Sequence, residues 1–362
     1  MEKVDRIEDG RPAGLDRKDE HLQLALGREV EFPEGDANGF GALRFEHDAL
    51  PEVDRDAIST EVVLLGKRLA APLVVGAMTG GTPRAAELNR RLATAAAQCG
   101  VAFALGSQRK MLTDPGTRAS YAVREAAPDL RLLFGNLGAV QLNHGVGVPE
   151  LRRLIHGVGC DAFNFHLNPL QEAVQPEGQT RFSGLLARLA EVIPALGVPV
   201  LLKEVGAGIS EATALKIRAL PVAGVETCGV GGTSWARIES LRTGDPIQRA
   251  VGELFSRWGV PTAESVEICR RVLPDRVVIA SGGLRNGIEM AKALALGADA
   301  AAAALPVLRA AERSADDAVQ ALRQLVEELR TVLFLTGCRT VADLRSRRLL
   351  RARDLTARGE PR

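Results

Sequence analysis

The run His166-Leu-Asn-Pro-Leu-Gln-Glu172 sets an imidazole, amides and a carboxylate within one short stretch. Such a set can bind a diphosphate and a hard divalent ion through oxygen ligands. One carboxylate is too few for an all-protein cage. That suits Mg2+, which keeps waters and takes phosphate oxygens from its substrate, better than zinc. Lys203 closes the apolar run Pro199-Val-Leu-Leu-Lys203, and an ammonium inside a folded core needs an anion to offset desolvation. Three chemistries fit it: charge compensation of an anionic reduced flavin, a Schiff base, or a plain ion pair with Glu204 or another carboxylate. Glycine-rich stretches at 229–232 and 281–283, with Thr233 and Ser234 adding hydroxyls, suit a phosphate wrapped by backbone amides, although glycine pairs are also ordinary turns. Neither has the spacing of a Walker loop or a dinucleotide fingerprint. Near the start, Arg17-Lys-Asp-Glu-His21 precedes the amphipathic Leu22-Gln-Leu-Ala-Leu26. This is either solvated surface or a cationic lid over a phosphate site.

These residues need a scaffold that brings them together. From residue 72 onward, short apolar or β-branched runs alternate with Ala/Leu/Arg-rich segments of helical length, as in repeated βα units around a parallel sheet. Strands are expected at 72–79, 101–107, 130–137, 161–168, 199–205, 224–228, 276–281 and 298–305, each followed by a helix. Eight such units predict an α/β fold closed as a (β/α)8 TIM barrel, with residues 1–71 as an N-terminal extension and lid, 72–345 as the barrel and 346–362 as a tail. After the seventh strand, Asn286 is a helix cap, Ile288, Ala291, Ala295 and Leu296 form the apolar face, and Gly297 ends the helix. The Gly- and Asp-rich stretch 32–41 reads as loop or lid. The unusual residues fall where the expected strands stop, which is where barrel enzymes build their sites.

Composition excludes several classes. The 46 basic and 45 acidic residues leave a net charge of +1, with no general attraction for nucleic acid or acidic membranes. Ten Phe, two Trp and one Tyr offer little surface for stacking bases. The charged start and the lack of a long apolar run predict no membrane span and a cytoplasmic protein. The five cysteines, Cys99, Cys160, Cys228, Cys269 and Cys338, form no CxxC pair and read as reduced thiols. Cys228, set among loop residues, could be a nucleophile, but no base stands beside it in the sequence.

Taken together, Arg17-Lys-Asp-Glu-His21, Gly76-Ala-Met-Thr-Gly-Gly81, His166-Leu-Asn-Pro-Leu-Gln-Glu172, Lys203-Glu-Val-Gly-Ala-Gly-Ile-Ser210, Gly231-Gly-Thr-Ser-Trp235 and Ala295-Leu-Gly-Ala298 resemble the type 2 isopentenyl-diphosphate isomerases in order and spacing, over about residues 15–345. The resemblance implies a barrel that uses reduced FMN, with NADPH as reductant, and Mg2+ to interconvert isopentenyl and dimethylallyl diphosphate, the flavin doing the acid–base work with support from Gln171 and Lys203. Carried onto matching positions, FMN would contact Ala77, Met78, Thr79, Ser107, Asn136, Lys203, Thr233, Gly282, Gly283, Ala304 and Leu305. The diphosphate would meet Arg17, Lys18, Arg109, His166, Asn168 and Gln171, with Glu172 on the metal. A homotetramer or homo-octamer is implied as well. One departure stands at Glu226-Thr-Cys-Gly-Val-Gly-Gly232, where the family often has Asp, a small residue or serine before the glycines. Two other readings compete: an FMN-barrel oxidoreductase acting on a small anionic substrate, since fold alone does not separate the two, and a non-catalytic binder of flavin or isoprenoid diphosphate.

Overall fold

Period-two alternation along eight short strands determines both the core and the site. The strands are β1 (Leu73–Val75), β2 (Ala102–Ala104), β3 (Leu133–Gly138), β4 (Ala162–His166), β5 (Val200–Lys203), β6 (Gly224–Glu226), β7 (Val277–Ser281) and β8 (Ala300–Ala303). They pair in parallel, each with the next, and β8 closes onto β1 through Ala301↔Leu73 and Ala303↔Val75. The computed structural model describes residues 16–27, 30–32 and 37–351. Inside the barrel, Val74, Ala102, Ala104, Phe134, Ala162, Leu201, Ile279, Ala300 and Ala302 form one buried cluster. Leu64 and Leu69, from the antiparallel hairpin Val62–Leu64 and Lys67–Leu69, belong to the same cluster. Strand neighbours such as Leu73, Val75, Phe103, Leu133, Phe163, Leu202 and Val278 belong instead to the larger core under the helices. Burying each large apolar side chain is worth roughly 1.5–3 kcal/mol, so register is strongly set.

Continuing the interior row to the strands' C-terminal ends gives Gly76, Gly106, Asn136, His166, Lys203, Glu226, Ser281 and Ala304, all at one cavity. Pleat periodicity therefore aims the polar residues at a common point.

The eight expected strands are all present, but most end sooner than the sequence suggests. Residues 76–79, 105–107, 167–168, 204–205 and 227–228 have left the ladder, and Leu305 starts a helix. A βα turn needs the chain to leave the sheet, and apolar loop residues hide that departure. Asn286 caps Gly287–Ala295 through Glu289 N, at 2.9 Å, and Gly297 follows with φ 110°. Ile288, expected on the apolar face, is 51% exposed instead. Within the stretch expected as loop or lid, residues 33–36 lie outside the described residues, while Asn38 and Phe40 are buried at 1% and 0% exposure. The Asn38 Nδ2 donates to Gly283 O and to Glu289 Oε1, both at 2.9 Å, so this part is a plug beneath a site turn rather than a lid. At the far end, Leu349–Arg351 pairs antiparallel with Leu43–Phe45 rather than trailing as tail; 352–362 lie outside the described residues.

Candidate active site

Four helices complete the site: α1 (Arg17–Leu26), α2 (Pro169–Val174), α3 (Trp235–Arg242) and α4 (Leu305–Arg313). All the residues expected to bind cofactor, substrate or metal line a single cavity at the barrel mouth, except Thr79. Thr79 is buried behind the wall, its carbonyl accepting from Asn89 Nδ2 at 3.2 Å.

The turn after β7 is built for glycine. Gly282 and Gly283 have φ of 110° and 72°, and a Cβ on either would lie 2.2 Å from a carbonyl oxygen, of Gly229 and Gly231 respectively. Their own carbonyls are held from behind: Thr262 Oγ1 donates to Gly282 O at 2.7 Å, and Arg285 Nη1 to Gly283 O at 3.0 Å. Both glycines, Thr233, Ala304 and Leu305 border the cavity, and the first-turn amides of α4 have no acceptor inside their own helix. Glycine at 282 and 283 thus lets this turn pack backbone to backbone on the turn after β6, and the cavity beside it is walled by main chain.

Lys203 is 4% exposed. Its Nζ donates to the Glu204 carbonyl at 2.8 Å and to Cys228 Sγ at 3.1 Å, and lies 3.6 Å from Glu226 Oε1. The sequence names Glu204 as the nearest carboxylate, but that carboxylate is spent on the amides of Val205, Gly206 and Ala207 at 2.6, 2.7 and 2.6 Å. The partner is Glu226, directly opposite in the β5–β6 register. Burial works against the ammonium, yet Cys228 and Glu226 outweigh it and raise Lys203 above the ordinary lysine range. A protonated amine is no nucleophile, which favours the charge-compensating reading of Lys203 over a Schiff base. Burial, foremost, pushes Cys228 up to about 12, so it is a thiol at neutral pH and no ready nucleophile either.

His166 Nδ1 lies 2.7 Å from Asn136 Oδ1. Burial first, then Lys203, Lys18 and Arg109, push the imidazole down to about 3. The ring is neutral, its Nδ1 proton given to Asn136. Lys18 is lowered to about 8 by burial, then by Arg17 and Arg109. So dense a cationic set, held in a protein with almost no net charge, is a site for an anion.

On α2, which opens with Pro169 at its first turn, Asn168 Nδ2 donates to Gln171 Oε1 at 3.1 Å and to Glu172 Oε1 at 3.0 Å. Asn168 Oδ1 is buried with no partner. Glu172 is 6% exposed and accepts from Gln179 N at 2.6 Å. Among the described residues no cluster of three or more His, Cys, Asp or Glu could hold a metal alone. Glu172 and the open Asn168 oxygen thus form a partial, oxygen-only set, which fits an ion that completes its shell from water and phosphate.

Glu239 was not anticipated. Fully buried on α3, it accepts from Gln171 Nε2 at 2.9 Å, sits 3.0 Å from His21 Nε2 and pairs with Arg242. Arg242 in turn reaches Glu20 and Glu177, each at 3.1 Å, and Arg17 meets Glu177 at 3.4 Å. With Lys110–Asp16 at 2.6 Å, Thr82–Asp19 at 2.7 Å and a His21–Trp235 edge contact of 5.3 Å, these ties fasten α1 to the barrel so that Arg17 and Lys18 line the cavity. Glu31, also missed, pairs with Arg285 and Arg309 at 3.3 and 2.9 Å. Glu226 could have been found by aligning strands five and six; Glu239 had no signal, since Gln171 and His21, the partners that tie it to the site, are remote in sequence.

A family model of FMN-dependent dehydrogenases matches residues 185–351. Isopentenyl-diphosphate delta-isomerase of Synechococcus sp. is 47% identical over 92% of this chain and 96% of its own length. The enzymes of that name from Stutzerimonas stutzeri and Rickettsia bellii are 45% and 42% identical, over 93% and 92% of this chain and 97% of theirs in both cases. Among solved structures, mandelate oxidase with (S)-2-phenylpropionate superposes with a TM-score of 0.64 at 20% identity, covering 92% of this chain and 94% of that one. This last likeness shows the barrel fold alone. The chain therefore belongs to the isopentenyl-diphosphate delta-isomerases of the FMN-dependent type 2.

Proposed function

We propose that the chain interconverts isopentenyl and dimethylallyl diphosphate by an allylic proton shift in isoprenoid biosynthesis, using reduced FMN, NADPH as the reductant and Mg2+. The observation that carries this reading is the cavity itself. It joins a glycine cradle and a buried lysine to a cluster of cations beside a carboxylate and an open amide oxygen. When bound, reduced FMN supplies the acid and base that an unactivated alkene needs.

Lys203 compensates the negative charge of the reduced ring, and the 282–283 cradle with the first turn of α4 takes the FMN phosphate. Ala77, Met78, Ser107, Asn136, Thr233 and Leu305, which border the same cavity, would complete the FMN site. Arg17, Lys18, Arg109 and His166 hold the diphosphate, and Glu172 with Asn168 bears on the metal it carries. Gln171, its amide fixed at both ends by Asn168 and Glu239, faces the reacting carbons as support. Trp235, together with α1, excludes water from a cationic transition state. We place the enzyme in the cytoplasm as a homotetramer or homo-octamer, which sedimentation of the purified protein tests.

The test is an anaerobic assay of the FMN-loaded protein with isopentenyl diphosphate. Many product turnovers per NADPH support the isomerase; one NADPH consumed per turnover refutes it in favour of an oxidoreductase.

A pH dependence follows from Lys18. The free cavity binds a diphosphate best while Lys18 is protonated, and that charge is lost as pH rises through about 8. The bound anion raises the lysine, so KM should climb several-fold between about pH 7 and 9, by at most tenfold per unit. His166, neutral over that range, adds nothing to the limb. Lys18→Arg stays charged and should flatten it; an unchanged limb in the KM profile of that variant refutes the assignment.

A further inference from the structure

Cys228 is among the few described residues other than glycine with positive φ, at 39°. A side chain there strains the backbone, and retaining one beside Gly229 calls for a role. Its thiol meets three polar groups, Lys203 Nζ at 3.1 Å, Ser281 Oγ at 3.0 Å and Glu226 Oε1 at 3.3 Å, and its backbone amide donates to Ser281 Oγ at 2.9 Å. Ser281 Oγ is also 3.0 Å from Glu226 Oε1.

The protons of the lysine settle what this arrangement does. An ammonium has three to give; one goes to the Glu204 carbonyl and one to the thiol. Glu226, at 3.6 Å, is beyond hydrogen-bond reach. A buried ammonium and carboxylate with nothing between them would close to contact, near 2.8 Å. We propose that Cys228 is the positioning residue for Lys203: its thiol bridges the ammonium to Glu226, holds the ion pair open, and leaves one ammonium proton and most of the charge for an anionic ligand in the cavity.

This rests on Lys203 facing the flavin, so the test separates the two ideas. The holoproteins of wild type, Cys228→Ala and Cys228→Ser are prepared with FMN, and the two-electron midpoint potential and the Kd for oxidised FMN are measured. In Cys228→Ala the lysine collapses onto Glu226. The potential then moves to more negative values, equivalent to about a tenfold loss of affinity for reduced relative to oxidised FMN, while the oxidised Kd changes little. Cys228→Ser, a shorter bridge, shifts the same way by less. In the Lys203→Met background the cysteine substitution has no further effect. A merely structural cysteine would alter FMN retention or melting temperature without moving the potential. A wild-type potential in Cys228→Ala, or in Cys228→Ser should the alanine variant not fold, overturns the proposal. So does a shift that persists without Lys203. Failure of the wild-type chain to bind FMN at all would instead remove the functional reading, and this inference with it.

Discussion

Glu172→Gln should lower divalent-dependent turnover by more than about a hundredfold while FMN remains bound, because it removes the negative charge that we propose bears on the metal. The substitution keeps shape, but not hydrogen-bond polarity. Glu172 accepts from Asn168 Nδ2 at one oxygen and from Gln179 N at the other, and an amide can satisfy only one of them. The variant should therefore also lose roughly 1–3 kcal/mol of stability, the usual penalty for a buried donor left without an acceptor. Turnover titrated against Mg2+, alongside FMN content and thermal unfolding, separates the effects. Full activity at ordinary Mg2+ would take the metal away from Glu172.

Lys203→Met should be the most destabilising change at the site. It strands Glu226 in the barrel interior, where breaking a buried pair costs about 3–5 kcal/mol. Turnover should fall at least about a hundredfold, since the charge proposed to compensate the reduced ring is gone. Adding Glu226→Gln removes the stranded charge as well. If the two residues are partners, the double variant regains most of the lost stability but none of the activity, and the denaturant midpoints of the four proteins give the coupling directly. Additive losses would show that Lys203 and Glu226 are not a pair.

The alternation of apolar runs and helical segments announced the barrel, because a parallel sheet buried on both faces must write its strands as apolar stretches. It announced strand ends less well. In 76–79 and 105–107 the chain stays apolar or small after the last strand residue, and nothing local marks the departure. Cavity-lining residues carried by dense local motifs, such as 166–172 and 281–283, were legible since their chemistry lies within a few consecutive residues. Thr79 was not: it belongs to the same motif as Met78, yet it is buried and does not border the cavity.

By itself, then, the sequence determined the eight-unit architecture, the absence of bulk charge, and the supply of anion-binding groups at the ends of strands. Tertiary structure alone decided how those groups are used. Register set Lys203 opposite Glu226 rather than beside the carboxylate of Glu204. Folding α1 onto the mouth joined Glu239 to His21 and Gln171 and brought a surface-like run of charge to line a cavity. The stretch at 38–40, polar and glycine-rich, became a buried plug because Asn38 found acceptors at Gly283 and Glu289. The physical reason is the same in each case. Local propensity and periodicity act over a few residues, whereas a buried charge is stabilised by whichever partner the closed barrel brings within reach, however distant in the chain.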